Sequence, residues 1–100
     1  MTSRFVFHLG AIEDLQDARD WYEEQRAGLS LEFERVIDEG LERIAADPAA
    51  YAEVEPGIRR HVLSRFPYAL FYRIQSSHIE ITAVFHHRRD PVVWRRRGAV

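Results

Sequence analysis

The stretch SLEFERVIDEGLERIAADP, residues 30–48, most limits what this chain can become. Phe33, Val36, Ile37, Gly40, Leu41, Ile44 and Ala45 recur at the spacing of one helix face. A helix with a single apolar stripe is marginal alone in water, so the rest of the chain must supply a surface to cover it. Ser30 is placed as its N-cap, with Glu32 and Glu34 in the first turn, and Asp47-Pro48 stops it. Gly40 lies on the buried side, where its missing side chain predicts close approach of a neighbouring helix.

That neighbour is AIEDLQDARDWYEEQR, just upstream. Ile12, Leu15, Ala18 or Arg19, and Tyr22 repeat at helical spacing, and Trp21 borders the apolar face. Glu13 and Asp14 fall in its first turn, which suits the positive end of the helix dipole. Only Ala27-Gly28-Leu29 separates the two helices, so they are expected to lie antiparallel as a hairpin over about 11–47.

On either side the period drops to two. SRFVFHL reads as a short strand closed by Gly10, and PAAYAEVEPG as a connecting loop. Three strands follow: IRRHVL (58–63), YALFYRI (68–74) and HIEITAVFH (78–86), with turns at Ser64–Pro67 and Gln75–Ser77. The predicted order is β-α-α-β-β-β. This is an α+β fold, a small, mainly antiparallel sheet with the helical hairpin on one face and the other face partly open. The 100 residues suit a single domain, with the C-terminal part of the sheet over about 58–87 and a short tail at 88–100.

Composition removes several classes of function. There is no cysteine, so disulfide frames and thiolate metal sites are excluded, and a reducing cytoplasm is the expected location. The N-terminus lacks a signal-peptide apolar run, and no stretch approaches membrane-spanning length. The net charge of −2 hides a polarity: residues 1–50 hold twelve acids and five arginines, residues 51–100 four acids and nine arginines. All fourteen strong cations are arginine, which binds phosphate or carboxylate through a planar fork but cannot serve as a base at neutral pH.

Strict alternation along the strands gives an explicit expectation for the open face. In the last strand Ile79, Ile81, Ala83 and Phe85 take one side, and Glu80, Thr82, Val84 and His86 the other. In the middle strand Tyr68, Leu70, Tyr72 and Ile74 oppose Ala69, Phe71 and Arg73; Arg59, His61 and Leu63 oppose Arg60 and Val62, in a register that leaves Arg59 and Arg60 interchangeable. The open face would then carry Arg73 and His86 with one or two of Arg59, Arg60, His61 and Arg65. Arginines can hold a phosphodiester and a histidine can move a proton, so this set suits phosphate chemistry; ordinary solvated arginines are the competing reading. Phosphate loops, zinc spacings and serine elbows are absent, and His86-His87 project in opposite directions, so no metal or cofactor is expected. Asp90-Pro91 reads as a turn and Trp94 as an apolar anchor.

Three pieces in order, DWYEEQRAGLSLEFERVIDEGLERIAADP, GIRRHVLSRFPYALFYRI and ITAVFHHRRDPVVWRRR, resemble the RelE/ParE superfamily, the toxin halves of bacterial type II toxin–antitoxin pairs. The similarity runs over roughly residues 4–97. It implies the same fold, a cognate antitoxin that wraps the toxin, and oligomers formed through that antitoxin. It leaves two targets open. In metal-independent, ribosome-dependent mRNA endonucleases of the superfamily, Arg59, Arg60, Arg65 and Arg73 would hold phosphate and His86 would be the acid or base. In gyrase poisons, Arg88, Arg89 and Arg95, with the following arginines, would contact a protein–DNA complex and Trp94 would pack. The RFPY and H-x-RRDP-x-x-W pieces lean toward the ParE-like, plasmid-stabilisation group. A relic that only binds antitoxin is the third implication.

Overall fold

A computed structural model describes residues 4–86. Its elements are β1 (Phe5–Phe7), α1 (Leu9–Gln25), α2 (Leu29–Ala46), a 3-10 turn (Pro48–Ala50), β2 (Glu53–Glu55), β3 (Ile58–Val62), β4 (Tyr68–Ile74) and β5 (Ile79–His86). The five strands form one sheet in the order β1-β5-β4-β3-β2. Every neighbouring pair is antiparallel except β1 with β5. The predicted α+β architecture is present with one strand more than expected. The additional β2 lies inside the stretch read as a loop, an edge strand of three residues joined to β3 through an irregular register.

The helix boundaries differ from expectation for local reasons. α1 starts at Leu9, because His8 is its N-cap and accepts the Gly10 N–H through Nδ1 at 3.0 Å. Gly10 is therefore inside the first turn rather than a break, and Asp14 sits beyond that turn. α2 starts behind Gly28, whose φ of 88° is the left-handed conformation that favours glycine. Ser30 is not the cap. Instead the Glu23 carboxylate, at the end of α1, accepts from the Gly28 and Ser30 amides and from the Ser30 hydroxyl at 2.7 Å. These hydrogen bonds, the Gly28 amide first, stabilise the charged carboxylate and hold its pKa below the ordinary carboxylate range.

The main core lies between the hairpin and the sheet. Tyr22 and Phe33 from the helices meet Phe66 and Tyr68 with ring centroids 4.9–6.0 Å apart, mostly edge to face. Phe66 reaches this cluster because Arg65 turns the chain through a φ of 68°. Gly40 does approach a neighbour closely, but that neighbour is the sheet: a Cβ there would stand 2.8 Å from Leu63 Cδ2 and 3.1 Å from Leu70 Cδ1. Tyr72 is fully buried and donates its hydroxyl to the Pro48 carbonyl at 2.6 Å, which ties the 3-10 turn to the sheet.

The second sheet face is not simply open. Ile58, Ala69, Phe71, Ala83 and Phe85 form a second buried apolar cluster there, with Val54 against it. Ala83 and Phe85 reach that face through a β-bulge. Phe71 pairs with Ala83 but Tyr72 pairs with Ile81, so Thr82 is an extra residue, and its buried hydroxyl donates to the Phe71 carbonyl at 3.2 Å. Among the described residues, no helix is long and apolar enough to cross a membrane.

His61 faces the helices with its ring 4.5 Å from Tyr51, and burial, then the nearby Arg43 charge, lowers its pKa below the ordinary 6.5. Above pH 6.5 the ring is neutral whether the chain is folded or not. As pH falls through 6.5 the unfolded chain takes the proton first, so this contribution to stability is lost with acid. The urea midpoint is expected to fall between pH 7.5 and 5.5, and His61→Gln to flatten that fall. An unchanged pH slope in the variant refutes the assignment.

Candidate functional site

The bulge decides which side chains share a surface. Below it Ile79 and Ile81 face the helices; above it Val84 and His86 do, while Ala83 and Phe85 turn to the second face. His86 therefore packs against Tyr68, ring centroids 5.8 Å apart, on the helix side. Arg73 stands across the sheet on the second face, paired with its cross-strand partner Glu80 through Nε at 3.0 Å and Nη2 at 2.5 Å. The expected meeting of His86 with Arg73 does not occur.

The other candidates are equally dispersed. Arg59 is opposite Tyr72 and so faces the helix side, where it donates to the Tyr51 carbonyl at 2.6 Å and the Ala49 carbonyl at 3.1 Å. Arg60, opposite Phe71, is exposed on the second face. Arg65 sits at the β3–β4 tip, where it meets Glu32 at 2.9 Å; Glu32 also holds Arg26 at 2.7 Å. These two guanidinium groups, Arg26 first, hold the Glu32 pKa below the ordinary carboxylate range. Arg88, Arg89, Trp94 and Arg95 lie outside the described residues. No group of three or more histidine, aspartate or glutamate side chains able to hold a metal ion occurs among the described residues.

What the fold does assemble is a cavity of about 490 Å³ between α1 and the upper ends of β4 and β5. Asp14, Asp17 and Trp21 reach it from one face of α1, at the three- and four-residue spacing that aligns side chains along a helix. Tyr22, Tyr68 and His86 complete an aromatic wall, over Ala18 and Val84. Asp14 has a structural task here, because β1 ends at Phe7 and leaves the upper part of β5 without a strand neighbour on that side. Its Oδ2 accepts the Val84 N–H at 3.0 Å, a backbone donor that a longer β1 would have paired.

This architecture is shared. The model of the ParE toxin of type II toxin-antitoxin systems, parDE, matches residues 5–91. The chain belongs to the ParE toxin family. Among solved structures, a chain of the chromosomal ParDE TA system from P. aeruginosa superposes with a TM-score of 0.74 at 20 % identity, over 85 % of this chain and 96 % of that one. At that identity the likeness establishes the common fold. The curated proteins contain no match.

In this ParE-family chain the cavity was the part that reading by strand faces overlooked. Its signal was nevertheless present: Asp14, Asp17 and Trp21 share one helix face, and Trp21 is 54 % exposed, a large aromatic that the core does not use.

Proposed function

We propose that this ParE-family toxin arrests growth in the cytoplasm by poisoning DNA gyrase, and that a cognate antitoxin neutralises it. One observation carries the choice of target. The bulge at Thr82 puts His86 and Arg73 on opposite faces of the sheet, so the proton-transfer group and the phosphate-binding arginines needed for RNA cleavage do not converge. Arg59 is already occupied by carbonyls and Arg73 by a carboxylate, which further argues for structural duties. Contact with the gyrase–DNA complex then falls to the C-terminal set of Arg88, Arg89, Trp94 and Arg95.

Purified toxin is expected to block supercoiling by gyrase and to trap cleaved DNA, while translated message stays intact. Growth arrest by His86→Ala, expressed without antitoxin, is expected to match that of the parent. Cleavage of message in the ribosomal A site together with loss of arrest in His86→Ala would establish the endonuclease reading instead. Absence of arrest by the parent protein would leave an antitoxin-binding relic.

A further inference from the structure

We infer that the α1–β5 cavity is a receptor for a guanidinium side chain supplied by the antitoxin. The identity of the partner rests on the reading above; the chemistry of the ligand rests on the cavity.

Three features converge on a planar cation. The first is the wall. Trp21 stands edge-to-face on Tyr22 at 5.1 Å, Tyr22 on Tyr68 at 6.0 Å, and Tyr68 on His86 at 5.8 Å. Four rings in series give a π-rich surface that attracts a cation lying over it. The second is charge. Asp14 is fixed at the cavity by the Val84 amide, and Asp17 is exposed there, its side chain making no hydrogen bond or ion pair to any described residue. Arg19 is held by Glu34 and Arg26 by Glu32, so neither of these arginines is paired with Asp17. The third is exposure. Trp21 remains more than half accessible at the rim, in a position to be covered by a partner.

An anion would be repelled by the Asp17 carboxylate, and a purely apolar side chain would leave Asp17 desolvated without a partner. A guanidinium satisfies both surfaces at once: it stacks on aromatic faces and donates in a fork to a carboxylate. The negative α1 surface also complements a basic segment, and such complementarity accelerates association as well as selecting the partner.

The test uses the full chain and two small probes, acetyl-arginine amide and its uncharged isostere acetyl-citrulline amide. Binding is followed by NMR through the Trp21 indole N–H, assigned by its loss in Trp21→Phe. The arginine probe is expected to bind about tenfold more tightly than the citrulline probe, and Asp17→Asn to erase that preference without altering thermal unfolding. Equal binding of the two probes, or a preference that survives Asp17→Asn, overturns the assignment. A second arm measures the affinity of the antitoxin encoded beside the toxin gene. Asp17→Asn is expected to weaken the complex about tenfold, and unchanged affinity overturns the antitoxin as the source of the cation. The probe arm is independent of gyrase: a failed supercoiling assay with a retained arginine preference removes the proposed target and leaves the receptor site.

Discussion

Phe33→Ala is expected to destabilise the fold by about 3–5 kcal/mol, the range for removing a large aromatic from a well-packed core. Phe33 is wholly buried, and its ring lies 5.2 Å from Tyr22, 5.3 Å from Phe66 and 5.5 Å from Tyr68. These three neighbours come from α1, the β3–β4 turn and β4, so the cavity left behind cannot be closed by moving one element. Phe66 in particular is held in place by the left-handed turn at Arg65, which leaves it little freedom to collapse inward. Small domains have total stabilities of roughly 5–15 kcal/mol, so the variant should be close to unfolding at 37 °C. Urea denaturation reads this as a lower midpoint with an unchanged slope. A loss under about 1 kcal/mol would show that the four-ring cluster is not the centre of the core.

The second large effect separates two adjacent residues that composition alone treats as equals. Arg59→Ala is expected to cost on the order of 2 kcal/mol, because a charged donor to two carbonyls is lost and the segment after α2 loses its tie to the sheet. Arg60→Ala, on the exposed second face with a side chain that makes no hydrogen bond or ion pair to any described residue, is expected to stay within about 0.5 kcal/mol of the parent. Urea midpoints of the two variants check the contrast directly. Growth arrest normalised to soluble protein then distinguishes a structural from a catalytic Arg59. If Arg59→Ala keeps full stability but loses toxicity, the arginine acts on a target and not on the fold.

The helical hairpin could be read from the sequence because its information is local. The stripe from Phe33 to Ile44 and the break at Gly28 each lie within a few residues of what they determine. Alternation in β3 and β4 was legible for the same reason, and β4 presents the faces expected of it; in β3 alternation alone leaves Arg59 and Arg60 interchangeable, and the pairing of Arg59 with Tyr72 decides between them. The strand β2 was not legible: Glu-Val-Glu has no alternation long enough to register, and its pairing is provided by β3. The cap of α2 was misplaced because its acceptor, Glu23, sits on the preceding helix rather than next to the amides it serves.

β5 failed for a different reason. From Ile81 to Phe85 every residue is buried, so both faces of the strand are covered and the polar half of the alternating pattern is missing. Without that contrast, nothing in the sequence marks where the phase slips. The cavity inherited the same difficulty, since His86 joins Asp14 and Trp21 only once the slip has been placed.

The extra residue at Thr82 has a consequence for how toxins of this shape can diverge. A strand displays its side chains in a two-beat rhythm, and adding one beat exchanges what the two faces present beyond that point. The residues downstream need not change for their surroundings to change completely. A single codon gained or lost in this strand could therefore move a histidine between the two sides of the sheet while the hairpin and its core stay as they are. Across descendants of one scaffold, alignment gaps at this position would then be as informative about mechanism as the identity of any side chain.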